Sequence, residues 1–291
     1  MSVRNNEERL EARNLNVDSP PPQVESQKIE SENEAPQTPL SFTTPTEFVD
    51  LPSKGLFYAK NHPLHQKDSV EIRFMTARDE DILTSKSLLK KGIAIDRLLQ
   101  NVIVDKKINI DHMLIGDKNA LIVATRITGY GAEYNTKSMC PACGSTSENL
   151  YDLEGVKTVE TEIPEGVERT PKGTFVLKAP KSGVTVEMRL LAGVDEKRLA
   201  KVMAAKKKKN LPESTLTDQL RLALVSVEGQ TEPNLINLFV GSLPAMDARY
   251  LREVYAKIMP NVDMKQDFEC NSCGFEQEME VPFTSDFFWP K

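Results

Sequence analysis

Cys140-Pro141-Ala142-Cys143-Gly144 and Cys270-Asn271-Ser272-Cys273-Gly274 hold all four cysteines of the chain. Each is a Cys-x-x-Cys followed by glycine, the form of a zinc knuckle. Two thiolates curl around a metal, and the glycine lets the backbone turn where a Cβ would obstruct it. One knuckle fills half of a tetrahedral site, and its one available complement lies 130 residues away. The spacing therefore predicts a site of Cys140, Cys143, Cys270 and Cys273, closed across most of the sequence. A closed thiolate site has no position for water, so it is structural rather than catalytic, and Zn²⁺ is the expected cofactor. A cubane iron–sulfur cluster also uses four cysteines and spacing alone does not exclude it, although the glycine after each pair favours zinc. Free buried thiols and two separate redox pairs are the blander readings.

At 291 residues, with 39% hydrophobic and 27% charged content, the chain can bury one large core or two small ones. A net charge of −6 offers no broad field for phosphate backbones, which disfavours nucleic acid as a partner. No apolar run is long enough to span a membrane, and the polar N-terminus lacks the apolar stretch of a secretory signal. In a reducing compartment, paired Cys-x-x-Cys reads as metal binding rather than disulfides.

Outward from the knuckles, residues 132–139 and 147–153 flank the first as a hairpin would. Asp117 is expected to cap a helix ending at Gly129. Before it come a strand over Val70–Met75, a helix from the N-cap Thr76 to Lys91 stopped by Gly92, and a helix from Ile93 with Leu98, Leu99 and Val102 on one face. Residues 1–45 carry six of the eighteen prolines among Glu, Asn and Ser and are expected to be disordered. Residues 154–172, with Gly155, Pro164, Gly166 and Pro171, read as a linker. Beyond it a hairpin turns at Ser182-Gly183, followed by helices at 195–208, 214–227 and 244–258 and a hairpin around the second knuckle.

That restart points to a duplicated unit. Glu71, Arg73, Asp79 and Glu80 recur as Glu187, Arg189, Asp195 and Glu196 at equal spacing, and Asp117 and Asp247 each precede a knuckle by 23 residues. The fold expected is α+β: two related units, 46–153 and 173–291, each a β-hairpin, about three helices and a knuckle hairpin, joined by a split four-cysteine zinc ribbon.

Nothing in the chain argues for catalysis. Gly-x-Ser-x-Gly, Gly-x-Gly-x-x-Gly and Walker loops do not occur, and no small-molecule substrate is implied. His62 and His65 sit in a polar turn that reads as structural. Lys206 to Lys209 suit a helix C-terminus. Phe287-Phe288-Trp289 must bury large apolar surface, on its own domain or in a partner.

Leu51-Pro52-Ser53-Lys54-Gly55, Arg73-Phe74-Met75-Thr76-Ala77-Arg78-Asp79-Glu80-Asp81, Gly116-Asp117-Lys118-Asn119-Ala120-Leu121 and Phe287-Phe288-Trp289-Pro290 resemble the baseplate hub proteins of T4-type contractile-tailed bacteriophages, over residues 46 to 291. The resemblance implies a hub subunit or assembly factor with other tail proteins as partners, located in the virion tail baseplate or in the host cytoplasm during assembly. It supplies no catalytic residues. The alternative reading is a zinc-ribbon nucleic-acid-binding or transcription factor, which would need a basic ribbon tip; Glu269, Glu276 and Glu278 stand there instead.

Overall fold

Two antiparallel ribbons, each carrying a cysteine pair at its tip, project from a body that has, among the described residues, eight α-helices and small antiparallel sheets. This is a mixed α+β fold, seen in a computed structural model that describes residues 43–212, 214–281 and 287–288. The tail expected to be disordered lies almost wholly outside them, as does Trp289.

Strand β1 (Thr46–Asp50) pairs with β2 (Ser69–Arg73), whose alternate residues Val70 and Ile72 are buried. Thr76 caps α1 (Ala77–Thr84) in a capping box with Asp79. The helix expected to reach Lys91 instead breaks at Ser85, which adopts an extended conformation before α2 (Lys86–Lys91). Hydroxyls compete locally with the helix there: Thr84 Oγ1 donates to the Glu80 carbonyl and Ser85 Oγ meets Ser87 Oγ. Gly92 ends α2 at φ 67°, as expected of a left-handed cap. Helix α3 (Ala94–Val102) buries Leu98, Leu99 and Val102, and Ile103 then bridges to Ile72. Helix α4 (Ile115–Tyr130) places Asp117 as its third residue rather than its cap. It runs past Gly129, whose missing Cβ makes room for Met75. The first ribbon follows as β3 (Glu133–Met139) and β4 (Thr146–Asp152).

The stretch 154–172, expected to be a linker, carries two strands. β5 (Lys157–Val159) pairs with β10 (Asn261–Asp263), and β6 (Val167–Arg169) is the edge of a four-stranded sheet ordered β6-β7-β8-β9. Its glycines shape turns within that weave. Gly173 has φ +79°, and a Cβ on it would lie 2.8 Å from the Phe57 carbonyl oxygen. Arg169 lies over the Phe57 ring at 4.7 Å.

Within the sheet, β7 (Phe175–Lys178) and β8 (Thr185–Met188) form the expected hairpin. Helix α5 (Gly193–Lys208) follows, then α6 (Thr215–Ala223). The expected helix over 214–227 ends at Ala223, because Leu224–Val227 forms β9 against β8; β-branched Val225 and Val227 fit a pleated surface better than a helix. Helix α7 (Pro233–Ser242) has no counterpart among the expected helices. Helix α8 (Ala245–Ile258) leads through β10 to the second ribbon, β11 (Lys265–Glu269) and β12 (Glu276–Glu280).

Similar contacts recur in both halves. Arg73 and Arg189 each grip an aspartate six residues on through two hydrogen bonds: Asp79 at 2.7 and 2.9 Å, Asp195 at 2.7 and 2.8 Å. Each aspartate also accepts the backbone N–H three residues before it, from Thr76 and Ala192. Asp117 and Asp247 are both third residues of their helices. Each accepts N–H groups from the loop of the preceding hairpin: Ser53 for Asp117, Lys181 and Ser182 for Asp247.

The halves do not rely on a metal alone to hold together. The described residues from Thr43 onward form one compact unit with a continuous buried cluster from Val49 to Phe288. Leu114 bridges to Ala192, and Gly193 donates to the Met113 carbonyl. Lys118 and Lys197 meet Asp96 from two different helices, and Lys118 also meets Glu196. Phe287 packs edge-on against Tyr134 of the first ribbon at 5.1 Å. The closing aromatics that lie within the described residues therefore pack on their own chain.

Candidate metal centre

Each ribbon ends in the same tight turn. Cys140 N donates to the Ser145 carbonyl and Gly144 N to the Cys140 carbonyl. In the second ribbon Cys270 N donates to the Phe275 carbonyl and Gly274 N to the Cys270 carbonyl. The chain escapes each turn only at positive φ, +72° at Gly144 and +68° at Gly274, which is why glycine stands there. The turn directs both sulfurs of a pair toward one point.

The two tips face each other. The four Sγ atoms all lie within 4.8 Å of one another. Cys140 Sγ is 3.8 Å from Cys273 Sγ, and Cys143 Sγ is 3.7 Å from Cys270 Sγ. A disulfide would bring sulfurs to about 2 Å, so no pair is bonded. Four thiolates each about 2.3 Å from a common ion at tetrahedral angles lie about 3.8 Å apart, so the cysteines have the spacing of a single four-coordinate metal site. Cys140 and Cys270 are buried, while Cys143 and Cys273 are exposed. Phe268, Phe275 and Met279 pack around the buried pair as a small core separate from the main one.

Hydrogen bonds around the sulfurs set their charge. Ser145 Oγ is 2.9 Å from Cys143 Sγ and 3.4 Å from Cys270 Sγ. The Ser145 hydroxyl holds the Cys270 thiol down to about 5, helped against burial by the Ser272 and Cys273 amides and by Ser147. Cys143 is lowered as well, first by Ser145. Cys273 goes the other way, up to about 12: the Phe275 amide favours its thiolate, but hydrogen bonds with Cys143, Cys270 and Cys140 outweigh it. Thiolates crowded this closely repel one another until a cation joins them. Ser147 clamps the tips further by donating to Cys270 Sγ and accepting from Asn271 N. Lower down, Gln266 exchanges two hydrogen bonds with the Asp152 backbone. Sequence reasoning missed Ser145 and Ser147. The signal was weak, since Phe275 and Gln277 stand at the corresponding positions of the other ribbon.

The other singled-out residues do other work. His62 stacks on Tyr58 with ring centres 4.4 Å apart, and His65 Nδ1 lies 2.8 Å from the Tyr58 carbonyl oxygen. Neither belongs to a metal-binding group among the described residues. Lys206, in the last turn of α5, bonds Ser214 and Asp218 at the start of α6. On the second ribbon Asp267 stands opposite Glu278 and Glu269 opposite Glu276, a like-charge ladder that repels phosphate.

A comparison with protein families matches residues 46–289 to the family described as T4 bacteriophage base plate protein. The chain belongs to that family. Searches of curated proteins and of solved structures returned no match. Membership in a baseplate family makes other tail proteins its partners and points to the virion tail as its place. No helix of the described residues is long and apolar enough to cross a membrane.

Proposed function

We propose that this baseplate-family protein is a non-enzymatic scaffold of the tail baseplate hub, built in or acting in its assembly, whose two ribbons are stapled by one structural Zn²⁺ on Cys140, Cys143, Cys270 and Cys273. The observation that carries this reading is the convergence of sulfurs from two ribbons 130 residues apart in a chain matched to a baseplate family. Zinc is preferred over a cubane because the cubane's own iron and sulfide atoms would hold the cysteine sulfurs farther apart than 4.8 Å. With four thiolates on the ion and no open position, the metal orients the ribbons and does no chemistry.

The scaffold consists of two related units, 46–153 and 173–291. The paired Arg–Asp clamps and the third-residue aspartates of α4 and α8 support descent from a duplication. The ribbons and the outer helix faces then dock neighbouring tail proteins. The nucleic-acid alternative is opposed by the acidic ladder of β11 and β12.

Mass spectrometry of purified virions, with the particle fractionated to its baseplate, tests the placement. The chain is expected in the hub fraction, or in assembly intermediates alone if it acts as an assembly factor. Absence from both, or a salt-dependent shift of duplex DNA by the purified chain, would sink the reading.

A further inference from the structure

The two halves differ in how one helix face is covered. Four residues after Asp79, Leu83 is fully buried; four residues after Asp195, Leu199 is only partly covered. Leu199 lines a cavity of about 520 Å³ between α5, α6 and the C-terminal half of α8, with Met203, Leu216, Leu220, Tyr255 and Met259. Met203 and Leu216 remain 38% and 55% exposed, and Val202 extends the apolar strip. At the spacing of Val202 and Met203 the first half has Lys86 and Ser87. The first-half helix breaks at Ser85 just before those residues, whereas α5 runs on and carries the apolar strip a further two turns. Exposed apolar surface of this kind marks a contact.

Charge indicates the occupant. Asp195 and Glu196, the carboxylates in the wall, are already engaged by Arg189 and Lys118. Arg252 also lines the cavity and has no carboxylate partner among the described residues; Lys207, four residues after Met203 on α5, has none either. An apolar groove with the Arg252 guanidinium unpaired in its wall, and its carboxylates already engaged, fits an apolar stripe flanked by Asp or Glu. Leu199, Ala200 and Met203 recur at helical spacing along α5, giving the groove the grain of a helix-on-helix contact.

We propose that this groove receives an acidic amphipathic helix from another tail protein. The proposal rests on the docking-scaffold reading and names the chemistry of one partner. The test replaces Leu216 with the photo-crosslinker p-benzoylphenylalanine in the full chain during phage assembly and sequences the crosslinked peptides. The expected adduct is a segment of a different tail protein with apolar residues three and four apart and net negative charge. Arg252→Glu should lower its yield about tenfold, the scale of one interfacial charge contact, while leaving metal content and melting temperature unchanged. An adduct to residues 1–42 of the same chain, to a second copy, or to a segment lacking acidic residues overturns the proposal. So does the absence of any adduct, or a yield indifferent to Arg252→Glu. If the chain is found in the baseplate without the adduct, the groove assignment falls and the scaffold stands; if it is absent from tails and from assembly intermediates, both fall.

Discussion

Gly144 and Gly116 are both glycines a sequence reader would mark, yet they are needed for different reasons. At Gly144 the backbone is left-handed and a Cβ would meet nothing within 4 Å, so Gly144→Ala should cost only about 1–2 kcal/mol, the price of that conformation. At Gly116 a Cβ would fall 1.8 Å from the Pro260 carbonyl oxygen, so backbone must move, and Gly116→Ala should cost several kcal/mol more than Gly144→Ala. Thermal unfolding of both variants checks the order. Asp79 gives a pH signature. Burial raises its carboxyl, but the hydrogen bonds from Arg73, Thr76 and Asn101 win and hold it near 2. A folded pKa below the unfolded one adds stability above about pH 4 that is lost as the pH falls toward 2. Asp79→Asn should therefore flatten the acid limb of a stability–pH curve. The convergence of the four cysteines and the capping role of Asp79 were readable from spacing. The role of Asp117 was not, because a buried acid three residues into a helix looks like a cap until Ser53 and Tyr58 are seen bonding to it.

Elements with strong periodicity or hard stops were legible: β2, α3, α5, α8 and both ribbons lie close to where alternation, apolar spacing and glycines put them. The misreadings came where composition and packing disagree. Residues 154–172 are rich in turn formers, yet β5 and β6 gain partners, β10 and β7, that lie far along the chain or beyond a turn. Helix α7 was missed although Ile236, Phe239, Val240 and Leu243 recur at helical spacing and Asn234 and Asn237 are exposed on its other side. The junction between the halves was also invisible, since ion pairs formed by Lys118 and Lys197 join residues up to 101 apart. Lys118 is almost fully buried between Asp96 and Glu196. Lys118→Ala should cost about 2 kcal/mol by removing a buried cation shared by Asp96 and Glu196, with Lys197 still paired to Asp96. Lys137→Ala breaks the exposed pair with Glu148 and should cost under about 1 kcal/mol. Denaturant melts of the two variants separate these outcomes.

Across the whole molecule a metal on the four cysteines would have a narrower task than the sequence alone implied. One continuous core and the strand pairs between halves hold the body, while the ribbon tips depend on their own small cluster of Phe268, Phe275 and Met279 around the sulfurs. Chelation should thus speed hydrogen exchange in residues 133–152 and 265–280 and lower solubility as that cluster opens, with the main body still protected. Equal loss of protection throughout would show that the body depends on the ion. The most direct measurement of the shared site is native mass spectrometry of the purified chain and its single cysteine variants. One zinc per chain is predicted, lost on changing either Cys143→Ser or Cys273→Ser alone, since each ribbon supplies half of one site. Two metals per chain, none, or a metal that survives loss of one pair would contradict it.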